Sequence, residues 1–141
     1  MNYYTNKIKL ACLASLFAAG IANAADPQCN GFEIKIKNNL PDNLLIKKII
    51  ISGAEVQPNG LGQIDKQSQQ TFTVYNSNPD TLMNGEFIFN TISLPTKEIA
   101  LHFELQNKNL HCSHSDLTGN ESGGYPIDTS RGVGKVTYSI G

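Results

Sequence analysis

Residues 32–37 read Phe-Glu-Ile-Lys-Ile-Lys, apolar and charged in strict alternation. Successive side chains of an extended chain point to opposite faces, so this stretch describes a strand with one face buried and the other wet. The period recurs three times. Phe72 and Val74 alternate with Thr71, Thr73 and Tyr75. Ile99, Leu101, Phe103 and Leu105 alternate with His102 and Glu104, and Val136, Tyr138 and Ile140 with Lys135, Thr137 and Ser139. Turn formers crowd the segments between, as in Asn-Asn-Leu-Pro-Asp-Asn over 38–43 and again over 76–84. Leu44 to Ser52 is rich in isoleucine, but Lys47-Lys48 breaks the alternation, which fits a bulged strand or a short helix. Gly53 to Gly62 reads as loop, and Gly85 to Leu94, with Phe87 and Phe89, as an edge strand closed by Pro95. About seven or eight short strands at this spacing predict an all-β chain, an antiparallel β-sandwich with a closed barrel as the alternative.

A hairpin is expected around Asn107-Lys108. A two-residue turn there sets Leu105 opposite Leu110, Phe103 opposite Cys112 and His111 opposite Glu104. Residues 115–134 have no periodicity and hold Gly119, Gly123, Gly124, Pro126, Gly132 and Gly134, so they read as one long loop.

The N-terminus follows different rules. Lys7 and Lys9 precede an apolar stretch from Leu10 to Ala22, which closes on Ala22-Asn23-Ala24. A basic segment, an apolar core and an A-x-A triplet predict a signal peptide over residues 1–24, cleaved after Ala24. The apolar stretch falls short of the roughly 20 residues a spanning helix needs. Residues 25–141 are then a single domain, long enough to bury one core. Of eleven Lys and Arg, Lys7 and Lys9 leave with the signal, and the nine that remain face twelve Asp and Glu, a net charge of −3. A mildly acidic chain with one arginine and no tryptophan lacks the footprint of a nucleic-acid binder. It also lacks a polybasic patch for membrane docking and a second long apolar run, so it is expected to be a monomer without stable membrane insertion. Removal of Cys12 leaves Cys29 and Cys112, and two cysteines in an exported domain predict one disulfide.

No catalytic constellation stands out. There is no G-x-S-x-G, the carboxylates are scattered, and no cofactor motif is present, so the chain reads as a non-enzyme without a cofactor. His111-Cys112-Ser113-His114-Ser115-Asp116 is the one cluster suggestive of metal chemistry. On a strand, however, His111 and His114 point to opposite faces. His102, His111 and His114 are therefore carried as an alternative to no metal site. Loops as long as 115–134 are uncommon in small domains and are often binding loops. Tyr125, Asp128 and Arg131, the only arginine, offer an aromatic ring, a carboxylate and a guanidinium for a glycan or an anionic group. The alternative is a connector in which Arg131 pairs with Asp128 or Asp116.

Ile34-Lys35-Ile36-Lys37-Asn38-Asn39-Leu40, a strand entering an Asn-rich turn before a second apolar strand, resembles small secreted β-sandwich proteins. With its signal and one cysteine pair, the chain resembles the exported single-disulfide proteins that Gram-negative pathogens send through type II secretion. The resemblance implies folding and oxidation in the periplasm, then release. The function expected is that of a secreted or periplasmic binding protein for a protein or glycan ligand, with action as an effector on host or competitor surfaces as its expected form. A pilin-like surface subunit and a small secreted hydrolase are the alternatives. Pilins place their cysteines close together and carry a penultimate tyrosine, whereas here the pair spans about 84 residues and Ile140 is penultimate.

Overall fold

The computed structural model describes residues 27–141. The expected signal peptide and its cleavage site lie outside the described residues. Those described form ten strands and no helix, and thus none long and apolar enough to cross a membrane.

The strands are β1 (Glu33–Asn38), β2 (Leu44–Ser52), β3 (Glu55–Gln57), β4 (Gly62–Ile64), β5 (Ser68–Tyr75), β6 (Met83–Thr91), β7 (Glu98–Asn107), β8 (Cys112–Asp116), β9 (Ile127–Gly132) and β10 (Lys135–Ile140). They form two five-stranded sheets, ordered β3-β5-β1-β10-β9 and β4-β2-β6-β7-β8. Every pairing is antiparallel except β1 with β10, which run parallel in the middle of the first sheet. The sheets pack face to face as the expected β-sandwich, and alternation decides which side chains fill it. Ile34 and Ile36, Phe72 and Val74, the row from Ile99 to Leu105, and Val136, Tyr138 and Ile140 are all buried.

Aromatic rings cross the core as a chain of contacts. Phe72 meets Phe87 edge-on at 5.2 Å, and Phe87 meets Phe103 at 5.2 Å in the same manner. Phe103 lies over the neighbouring strand at Gly85, where a Cβ would come within 2.1 Å of the ring. Only a glycine leaves that space.

The structure differs from the sequence expectation in four places. The segment 53–62 contains β3 and the first residue of β4, because Glu55–Gln57 pairs with Thr73–Tyr75 and Gly62 with Ile46. Met83–Thr91 is not an edge strand but lies between β2 and β7, buried by both neighbours. The bulge expected at Lys47-Lys48 is present, as the β2–β6 register shifts between Ile46 and Lys48. The stretch 115–134 is not one loop, since Ile127–Gly132 forms a hairpin with β10 across the Val133-Gly134 turn, where Gly134 has the positive φ of 70°.

The fourth difference is the β7–β8 register. Leu105 pairs with His114 and Asn107 with Cys112, so the turn spans 108–111 and is closed by Lys108 N–H donating to the His111 carbonyl at 2.9 Å. The slide from the expected pairing is four residues, an even number, so the same side chains still face inward. Its cause lies at the sandwich end. Cys112 is bonded to Cys29, and Asn107 Oδ1 accepts the Cys29 N–H at 2.7 Å, which holds residues 107 and 112 side by side. Leu110 is consequently extruded into solvent, and His111 does not face Glu104, whose partner is Ser115. The Cys29–Cys112 bond is consistent with an oxidising, exported location.

Candidate functional site

Along one side of the sandwich the two sheets end on β8 and β9, which are not hydrogen-bonded to each other as strands. Side chains bridge this seam instead. On β8, Cys112, His114 and Asp116 share the inward parity of Phe103 and Leu105. On β9, Ile127, Thr129 and Arg131 share the parity of Val136, Tyr138 and Ile140. The two rows meet. Arg131 Nε–H donates to His114 Nδ1 at 3.0 Å, His114 Nε2 lies 2.7 Å from Tyr138 Oη, and Thr129 Oγ1 donates to Asp116 Oδ2 at 3.4 Å.

These contacts fix the protonation of His114. The Arg131 Nε can only donate, so Nδ1 must hold a lone pair, and the ring proton sits on Nε2 and is donated to Tyr138 Oη. The imidazole is therefore neutral. Burial first, and then the Arg131 cation, lower its pKa from 6.5 to about 4, against an opposing pull from Asp116. Burial also raises the Tyr138 hydroxyl well above its ordinary value, so it stays protonated. The ring stacks on Phe103 at 5.7 Å and lies nearly parallel to Phe32 at 6.4 Å.

Because the acceptor is a neutral ring and not a carboxylate, the guanidinium is oriented without losing its charge. Among the described residues no carboxylate lies within ion-pair distance of Arg131, neither Asp128 nor Asp116. Arg131 borders a cleft of about 260 Å³ lined by Phe32, His111, Ser113, His114 and Lys135, with no Asp or Glu in its wall. Gly132 makes room for the Lys135 stem, whose Cε would lie 2.9 Å from a Cβ at that position. At the flanking hairpin tips Leu110 and Val133 are almost fully exposed, at 89% and 102%.

The other residues singled out from sequence are dispersed. Tyr125 is half-buried and packs on the core. Asp128 is exposed opposite Ser139, on the other face of β9 from Arg131, so the expected trio does not converge. His102 lies on the outer face of the second sheet, where Nε2 is 2.7 Å from Glu121 and Nδ1 3.7 Å from Glu86. Glu86 also pairs with Lys48, and that hydrogen bond holds its carboxyl below the usual range. His111 is in the exposed 108–111 turn and His114 faces the core; both border the cleft beside Arg131, and His102 lies apart from them. Among the described residues no group of three His, Cys, Asp or Glu side chains is arranged to hold a metal ion. His114 with Tyr138 was not anticipated, although the shared inward parity of the two strands carried the signal.

A larger concavity, about 710 Å³, lies elsewhere, beside Tyr75, Glu55, Asn30 and Asn76. Its asparagines are occupied. Asn30 Oδ1 accepts from Asn76 N, while Asn76 Oδ1 accepts from Asn107 Nδ2, a network that ties this region to the disulfide end. No Lys or Arg lines this concavity among the described residues, and its two asparagines serve the fold. The smaller cleft is the stronger candidate because its charged groups are oriented but uncompensated. No protein-family model matches the chain, and no curated protein matches it in sequence.

Proposed function

We propose that this is an exported protein that acts by binding and not by catalysis, through the sandwich end where the β7–β8 and β9–β10 hairpins converge. The observation that carries the reading is the Arg131–His114 pair, a fixed and uncompensated cation at the edge of a cleft between two hairpin tips. Binding loops held by a rigid scaffold have this arrangement. Catalysis is disfavoured by the same geometry. Both nitrogens of the half-buried His114 are committed to Arg131 and Tyr138, so this ring is not free to act as a base. Likeness to type II secretion substrates, and action as an effector on host or competitor surfaces, belong to this proposal. The single disulfide supports an extracytoplasmic destination.

Fractionation of producing cells into cytoplasm, periplasm and medium, followed by binding of the recovered protein to host and competitor cells, tests it. The expected result is export, with surface binding that weakens in Leu110→Ser and Val133→Ser proteins of unchanged melting temperature. Retention in the cytoplasm, or binding indifferent to both tips, overturns it.

A further inference from the structure

Resting on that binding reading, we infer that the cleft beside Arg131 takes a single oxyanion group of the partner: a carboxylate, sulfate or phosphate. Four observations support this. The guanidinium uses Nε to reach His114, and its terminal nitrogens make no hydrogen bond among the described residues. Lys135 lines the same cleft without an ion pair. Its register neighbour Glu33 lies on the same outer face of the sheet, and no ion pair joins the two among the described residues. Ser113 and His111 also border the cleft, and no Asp or Glu does among the described residues.

Charge and geometry together select the ligand class. A guanidinium held by one nitrogen presents its remaining N–H groups as a fork, the geometry that matches two oxygens of one anion. An arginine paired with a carboxylate would have its charge already satisfied, whereas pairing with a neutral imidazole orients the fork and leaves the charge available. At about 260 Å³ the cleft lies below the range of roughly 300–1,000 Å³ typical of sites that enclose a small molecule. It therefore admits an acidic group and little else, and the body of the partner lies over the hairpin tips. The Asp116 carboxylate stands behind the pair but is occupied by Thr118 N–H at 3.0 Å and by Thr129.

The test is an amide-resolved NMR titration of the purified, disulfide-bonded protein at neutral pH. Inorganic phosphate, sulfate and acetate are added separately, with chloride holding ionic strength constant. Saturable shifts confined to residues 111–114 and 131–135 are expected. Comparing the tetrahedral anions with acetate shows which oxyanion the fork prefers. Arg131→Ala should weaken the interaction by roughly tenfold or more, the loss of a charge-assisted bond. Lys135→Met should weaken it less and leave folding untouched, which keeps the test informative if Arg131→Ala misfolds. Absence of saturable shifts, or equal shifts in the Arg131→Ala and Lys135→Met proteins, overturns the inference. Silent anion titrations alongside intact cell-surface binding sink this inference and spare the broader reading. Site-specific anion shifts in a protein that is not exported do the reverse.

Discussion

Arg131 donates its Nε–H to His114 Nδ1 across the seam between two strands that do not pair, and so joins the edges of the two sheets through side chains alone. The bond requires a neutral imidazole, which couples the seam to pH.

In the unfolded chain His114 takes up a proton near pH 6.5, while in the folded protein it does so only near 4. Between those values the unfolded state binds more protons, so stability falls as pH drops from about 6.5 to about 4 and levels off below. The ring is only half-buried, so after allowance for screening the loss is about 1–2 kcal/mol. The lowered Glu86 and Asp42 carboxyls act in the same direction, which calls for a difference measurement. Urea unfolding between pH 4 and 7.5 should show a flatter slope in His114→Gln than in the parent. Parallel slopes would mean that His114 does not contribute to the acid sensitivity.

Cys112→Ser should lower stability by several kcal/mol while leaving the remaining fold recognisable. The bond joins residues 83 apart in sequence, and loop-entropy arguments give about 4–5 kcal/mol for a closure of that size. The fold survives because the N-terminal segment keeps other ties. Gly31 N–H donates to the Val74 carbonyl at 2.7 Å, and Cys29 N–H donates to Asn107. Guanidinium unfolding with the backbone amide spectrum of the variant checks both halves. A variant as stable as the parent would refute the assignment of that stability to the bond.

Gly85→Ala places a methyl in the space filled by the Phe103 ring, and overpacking of this kind costs roughly 1–3 kcal/mol. Phe103 also stacks on His114, so the displacement should reach the seam. Adding Phe103→Leu should recover part of the loss, giving a double mutant more stable than the sum of the single changes predicts. Strict additivity in thermal unfolding would show that the ring does not lie over Gly85.

The fold was legible where burial is one-sided. In β1, β5, β7 and β10 one face is core and the other solvent, so alternation named the buried apolar residues, though not Asn38 at the end of β1. The strands missed are those without that contrast. Segments 55–57 and 62–64 are too short to display a period, and β9 has only Ile127 among its apolar positions because it borders the seam. The β7–β8 slide was invisible because pairing with Leu110 or with His114 keeps the same parity, and the disulfide decided between them. Of the candidate site, Arg131 stood out as the only arginine and Cys112 as half of the only remaining cysteine pair. Asp128 was grouped with Arg131 because both were read as belonging to a loop, and placing them on a strand separates them onto opposite faces. Parity turned His114 and Tyr138 inward, but their meeting depends on contact between edge strand β8 of one sheet and β10 of the other, 24 residues apart in sequence, which no local pattern records.

Asn38 offers the sharpest test of polar order in the interior. Its side chain is fully buried at the end of β1. The two Nδ2 N–H groups are shared among the carbonyls of Asp42, Ile64 and Asp65 at 2.9, 3.1 and 3.2 Å, and Oδ1 accepts the Leu40 N–H at 3.0 Å. One amide thus fixes the turn after β1 to the end of β4, which is too short to hold its place by strand pairing alone. Asn38→Ala leaves several buried groups without a partner and should cost about 1–3 kcal/mol. Asn38→Asp is nearly the same size and keeps the acceptor for Leu40, yet it turns an oxygen toward three carbonyl oxygens. At neutral pH it should therefore be the more damaging change, on the order of 3–5 kcal/mol, because the buried charge has no cation to meet. The carboxyl of that variant takes up its proton at higher pH in the folded state than in the unfolded one. Its deficit relative to the parent should accordingly shrink as pH falls toward 4, where the protonated acid can again donate to a carbonyl. Paired unfolding curves for the two variants at pH 7 and near pH 4 measure this directly. A deficit for Asn38→Asp that stays constant with pH would mean that position 38 reaches solvent and that the amide does not bridge β1 to β4.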